Sequence, residues 1–148
     1  MRSAIDFSQH VRERSRNFVG REWVFRELDE WLKSDHDRYF LITASPGFGK
    51  TAISAQLVNF SWGLAPVPSG LTHFSPNFLQ AIHFCSRADA SWCDPRIFAS
   101  SISRQLASRF PVFEKALAAA ELYFASTTIH VEAHGGTATG VEHFHAAS

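Results

Sequence analysis

One stretch of the chain constrains its fold more than any other: an apolar run, a loop with two glycines, and then a helical pattern. Residues 39–42 (YFLI) are too few for a helix and are typical of a buried parallel strand. Residues 44–51 read ASPGFGKT, and small and apolar residues from 52 to 58 predict a helix directly after them. The pattern therefore predicts a strand, a tight loop and a helix in immediate succession.

The loop has the composition of a phosphate-binding loop in its relaxed form, with Ala44 where a first glycine often stands. Gly47 and Gly49 allow successive backbone N–H groups to point into one concavity, and the following helix adds the positive end of its dipole. Lys50 is expected to reach the β and γ phosphates, and the Thr51 hydroxyl to ligate Mg²⁺. The predicted nucleotide-binding residues are Ser45, Pro46, Gly47, Phe48, Gly49, Lys50, Thr51 and Ala52.

The residues after the loop constrain the base of the nucleotide. A small GTPase would carry an Asn-Lys-x-Asp element for guanine and an Asp-x-x-Gly element, and neither occurs after residue 51. The predicted cofactors are therefore ATP and Mg²⁺.

The remaining elements alternate between helical and extended patterns. Apolar residues at helical spacing predict a helix over 22–33, residues 61–78 are rich in Gly and Pro and predict a loop, and residues 81–85 predict a second strand. Asp94 followed by Pro95 predicts a helix start, and Pro111 a break leading to another helix through about residue 124. We divide the chain into a basic N-terminal linker (1–17), a partial domain (18–125) and a Gly/Thr/His-rich tail (126–148) that continues the same module and holds a weak strand at 129–131.

Three segments in this order carry a family resemblance. They are FVGRE at 18–22 ahead of an amphipathic helix, the glycine loop, and AIHFCSR at 81–87 followed by the helical pattern after Asp94. Together they resemble the start of the STAND-class ATPases, which include NACHT-type and nephrocystin-like modules and are related to AAA+ proteins. The resemblance implies an α/β fold, the three-layer sandwich of P-loop NTPases. It also implies that Val19, Gly20 and Arg21 lie beside the adenine and that nucleotide state switches oligomerisation and signalling.

The chain departs from that family where hydrolysis is concerned. The family's later Walker B strand ends in Asp or Asp-Glu, but residues 129–132 carry one acid and Asp89 follows the second apolar run only at a distance. The arginine-bearing sensor segments are also missing. We therefore expect an incomplete sandwich without the Walker B strand, no catalytic residue, and nucleotide binding without appreciable hydrolysis by this chain alone. The sheet edge left open predicts protein partners or self-association.

Composition excludes several other classes. The 14 Lys and Arg residues balance the 14 Asp and Glu residues, which disfavours nucleic-acid binding through bulk charge. No apolar run approaches the roughly 20 residues of a membrane span, and two cysteines suit a reduced, cytoplasmic protein. Two alternatives stay open. One is a degenerate scaffold of NTPase fold that recruits a partner without nucleotide, and the other is a small phosphotransferase using Arg87, Asp89, Arg96 and Arg104.

Overall fold

The fold is described by a computed structural model that covers residues 5–34, 36–86 and 88–120. Within these ranges the chain is mainly helical. The helices are α1 (Ser8–Ser15), α2 (Glu22–Lys33), α3 (Lys50–Ser61) and α4 (Pro95–Arg109), with a short 3₁₀ helix at Ala90–Cys93. Residues 111–120 are also helical. The predicted helices over 22–33, after the glycine loop and after Asp94 are confirmed, and the Asp94 carboxylate caps α4 by accepting the Arg96 backbone N–H at 2.8 Å.

The predicted α/β three-layer sandwich is wrong. In the described part of the chain no sheet forms, and the β pairing there is one antiparallel bridge between Ser86 and Asp89. The two segments predicted as strands, 39–42 and 81–85, lie outside any ladder. Among the described residues, no backbone hydrogen bond joins them to each other or to a third segment.

The first of these segments fails to be a buried strand because only one of its faces is covered. Phe40 and Ile42 pack onto the core formed by α2 and α3. Tyr39 and Leu41 point the other way and are 90% and 83% exposed. The alternation is that of an extended chain lying on helices, whereas the continuous apolar run predicted burial on both faces.

The second segment has its backbone paired by a side chain. The Gln105 amide in α4 accepts a hydrogen bond from the Ile82 N–H at 3.0 Å and donates one to the Ile82 carbonyl at 2.8 Å. A glutamine amide carries one donor group and one acceptor, as a peptide group does, so it can take the place of a neighbouring strand. Helix α4 thus holds the 81–85 segment without a sheet.

The core lies on two sides of α3. One cluster joins α2 and α3 to the loop after α3, and its buried members are Val24, Phe25, Leu28, Ile53, Leu57, Phe60 and Phe74. The other joins α1 and α3 to the 81–85 segment through Phe7, Val11, Ala55, Val58 and Phe84. Burial on both sides makes α3 the central helix of the described structure, and α3 begins at the glycine loop.

Helix α1 lies in the segment that the sequence suggested to be a basic linker. Val11 is fully buried against α3, and Asn59 of α3 donates a side-chain hydrogen bond to Ser15 at 2.9 Å. The arginines of α1, Arg12 and Arg14, remain exposed. Only two strongly apolar positions, Phe7 and Val11, attach this helix, too few for periodicity to reveal it.

Residues 63–80 are held to the helices by polar contacts. The buried Asp29 carboxylate of α2 accepts the His73 backbone N–H at 2.7 Å and lies 3.3 Å from the His73 ring nitrogen Nδ1. Burial by itself would raise the pKa of Asp29, but the hydrogen bonds from His73 and Thr72 lower it below its usual value. Ser61, also buried, accepts the backbone N–H groups of Asn77 and Leu79.

Other predictions concern isolated residues or the end of the chain. His83, in the second segment predicted as a strand, is half-buried, and its Nε2 lies 2.8 Å from the Trp92 carbonyl oxygen. The tail at 126–148, with the weak strand at 129–131, lies outside the described residues. None of the helices in the described ranges is long and apolar enough to cross a membrane.

Candidate functional site

The glycine loop has a defined backbone conformation between its apolar approach and α3. The Phe48 N–H donates to the Ser45 carbonyl at 3.3 Å, which closes a tight turn. Gly47 and Gly49 have φ values of 85° and 81°, the left-handed region that a side chain disfavours. Gly49 is also the residue that caps α3, so the first free N–H groups of that helix belong to the loop. Both glycines therefore lie at positions where the loop backbone has positive φ.

Lys50, the first residue of α3, turns back over the loop. Its Nζ donates to the Ala44 carbonyl and, at 3.1 Å, to the Ser45 carbonyl. The ammonium group thus spans the loop from its helical end to its first residues. Since carbonyl oxygens are neutral acceptors, a phosphate oxygen would be a stronger partner for the same ammonium group.

A cavity of about 480 Å³ opens at the loop. Six predicted binding residues line it together: Pro46, Gly47, Gly49, Lys50, Thr51 and Ala52. Glu13 and Arg14 of α1 form the rest of its wall. Residues that carry backbone N–H, ammonium and hydroxyl groups thus line one space.

The second predicted element, Val19 to Arg21, lies against this loop although it is remote in sequence. Gly20 and Arg21 both have positive φ, 73° and 61°, and Arg21 stands at the N-terminus of α2. The Arg21 guanidinium comes so close to Gly49 that a Cβ on that glycine would lie 2.6 Å from Nη1. A non-glycine residue in the left-handed region costs about 1–2 kcal/mol, and such strain is often found at binding sites.

A second cavity, of about 410 Å³, is bounded by this element. Val19 and Arg21 line it with Phe18, Arg16 and Asn17. Three residues, Glu13, Arg14 and Ala52, line both cavities, so the two spaces meet beside the start of α3. The sizes and contiguity suit a ligand with a polyphosphate end and a larger body.

The structure does not bring every predicted residue into these cavities. Ser45, Phe48 and Gly20 line neither, and the Phe48 ring is 63% exposed beside the loop. Conversely, sequence reasoning missed Glu13, Arg14, Arg16 and Asn17 as wall residues. The sequence feature that could have identified them is the run of charged residues from 12 to 16. Its position beside the loop depends on the packing of α1 against α3.

The electrostatic character of the site is cationic. Four cations line the two cavities, Arg14, Arg16, Arg21 and Lys50, against one carboxylate, Glu13. Among the described residues there is no group of three His, Cys, Asp or Glu side chains that could hold a metal ion by itself. The arrangement fits an anion that binds as a complex with a metal ion. Thr51 offers one hydroxyl ligand to such an ion, and phosphate oxygens can supply the other ligands.

Comparison with known proteins gives one family. The family model described as "Nephrocystin 3, N-terminal" matches residues 20–132, which covers the glycine loop, α2, α3 and α4. Helix α1 precedes the matched segment. No solved structure matches the chain.

Proposed function

Because this chain belongs to the nephrocystin 3 N-terminal family, we propose that its glycine loop binds Mg²⁺–ATP and that the domain acts as a nucleotide-dependent switch of the STAND type. The observation that carries the proposal is the arrangement around Lys50. The two left-handed glycines, the start of α3 and Lys50 line one cavity. Phosphate binding at helix N-termini uses these same groups.

The roles of the individual groups follow from their chemistry. Lys50 would exchange its bonds to the Ala44 and Ser45 carbonyls for the β and γ phosphates, and the N–H groups of Gly47 and of residues 49–51 would bind the remaining phosphate oxygens. Thr51 would ligate the Mg²⁺ that accompanies the nucleotide. The base would extend towards Val19 in the second cavity, with Arg21 at the junction.

The proposal does not depend on a sheet. The loop is positioned by α3, which is buried on two sides, and by the left-handed residues before α2. A helix terminus provides N–H donors and a positive dipole end whatever lies behind it.

The direct test is titration of the folded chain with a fluorescent ATP analogue in the presence of Mg²⁺. We expect saturable binding by the wild type and a 10- to 100-fold loss of affinity in Lys50→Ala, because a charge-assisted hydrogen bond contributes roughly 1.5–3 kcal/mol. Lys33→Ala is the matched control, since Lys33 is exposed at the far end of α2 and forms a surface ion pair with Glu30. Equal affinities for wild type and Lys50→Ala, or no binding by a chain with cooperative unfolding, would contradict the proposal.

A second function, recruitment of a protein partner without nucleotide, has one observation in its favour. Tyr39 and Leu41 are almost fully exposed on a segment whose backbone groups have no ladder partner in the described part of the chain. Such a segment can add to the edge of another chain. A partner interaction that persists in Lys50→Ala and is lost in Leu41→Asp, with no ATP binding by the wild type, would favour this function over the first.

A further inference from the structure

We infer that α1 belongs to the nucleotide site and that Arg14 is a second phosphate-binding cation beside Lys50. This inference rests on the proposed function and extends it to a helix that lies ahead of the family match. Its basis is geometric: Arg14 lines the cavity at the glycine loop and also the adjoining cavity at Val19 to Arg21.

The position of Arg14 is fixed by the packing of its helix. On the inner face of α1, Val11 is fully buried, and the same cluster contains Ala55 and Val58 of α3. The hydrogen bond from Asn59 to Ser15 ties the C-terminal end of α1 to the same helix. Since α3 begins at Lys50, the packing of α1 on α3 sets the distance between the backbone positions of Arg14 and Lys50.

Arg14 is free to accept an anion. Its side chain is exposed, and none of the ion pairs or side-chain hydrogen bonds formed by the described residues involves it. By comparison, Arg26 and Arg96 each lie beside a carboxylate. A guanidinium group can bind two phosphate oxygens at once, a geometry that Lys50 cannot provide.

The local charge agrees with this role. The chain as a whole has equal numbers of basic and acidic residues, yet the two cavities are lined by four cations and one carboxylate. A concentration of like charges beside a phosphate cradle favours a polyanion over a neutral ligand. Because Arg14 lies where the cavities join, it would contact the phosphate chain rather than the base.

The test compares Arg14→Gln with Arg12→Gln. Arg12 lies on the same helix, is also exposed, and lines neither cavity, so both variants lose the same charge. Each variant, with wild type and Lys50→Ala, is titrated with Mg²⁺–ATP and with inorganic tripolyphosphate at one fixed ionic strength. We expect Arg14→Gln to bind both probes about 10-fold more weakly, Arg12→Gln to stay within about twofold of wild type, and Arg14→Lys to recover part of the loss.

Each other outcome overturns the inference. If Arg14→Gln binds like wild type while Lys50→Ala does not bind, the loop works and α1 has no part in it. If Arg12→Gln loses as much affinity as Arg14→Gln, the effect is one of overall charge. If only ATP binding weakens, Arg14 contacts the nucleoside and not the phosphates. Absence of binding of either probe to the folded wild type would remove the proposed function as well. Arg14 and Arg12 are exposed, so thermal unfolding should be the same in wild type and in the three arginine variants.

Discussion

Replacement of Gln105 by leucine tests whether a side chain really stands where a neighbouring strand was expected. Gln105 pairs both backbone polar groups of Ile82, at 3.0 and 2.8 Å, and also bonds to Ser101 within its own helix. Leucine retains a similar volume but can neither donate nor accept. Each lost hydrogen bond contributes about 1 kcal/mol, and Ile82 is half-buried, so water can replace these bonds only in part. We expect the free energy of unfolding to fall by about 2–3 kcal/mol.

Urea denaturation followed by circular dichroism measures this change. With a slope of about 1–3 kcal/mol per molar urea, the midpoint should fall by about 1 M. Gln105→Glu should lie between the two, because its carboxylate can still accept the Ile82 N–H but cannot donate to the Ile82 carbonyl. Gln80→Leu is the control. The Gln80 amide also donates to backbone carbonyls, but it is exposed, and water can replace it.

The outcome that would refute this reasoning is a Gln105→Leu variant within about 0.5 kcal/mol of wild type. The hydrogen bonds between Gln105 and Ile82 would then contribute little to stability, and the side chain would not take the place of a neighbouring strand. An equal loss in Gln80→Leu would also refute it, since the cost would then come from losing any glutamine near this segment.

Two further predictions concern the two clusters on either side of α3. Phe25 is 1% exposed, and its ring packs against those of Phe60 and Phe74. Phe25→Ala should therefore lower the free energy of unfolding, measured by urea denaturation, by about 3–5 kcal/mol. A loss below about 1 kcal/mol would mean that this ring is not in the core. Burial against Phe84 and Trp92, with a smaller contribution from Arg14, lowers the pKa of His10 below its ordinary 6.5. The unfolded chain therefore binds this proton first, so the stability that neutral His10 contributes is complete above pH 6.5 and is lost as pH falls below that value. Denaturation at about pH 7.5 and about pH 5.5 should show a smaller acid-induced loss in His10→Phe than in wild type, and equal losses would contradict the assignment.

The features that could be predicted from sequence are those set by neighbouring residues. The helix at Glu22–Lys33, the Asp94 cap with Pro95 after it, and the turn before Lys50 depend on side-chain spacing, on one carboxylate and on glycines that tolerate positive φ. The loop residues could therefore be identified from local sequence alone, and six of the eight line one cavity.

Tertiary structure alone decided what covers these local elements. An apolar run indicates that a segment will be buried, but it does not indicate whether strands or helices will bury it. The segments at 39–42 and 81–85 were therefore assigned to a sheet that the described residues do not form. For the same reason the position of α1 could not be predicted. Its place beside the loop comes from contacts of Val11 with residues more than forty positions later. The local sequence determined the glycine loop and the start of α3. Long-range packing determined that Arg14 and Arg21 would stand beside that loop.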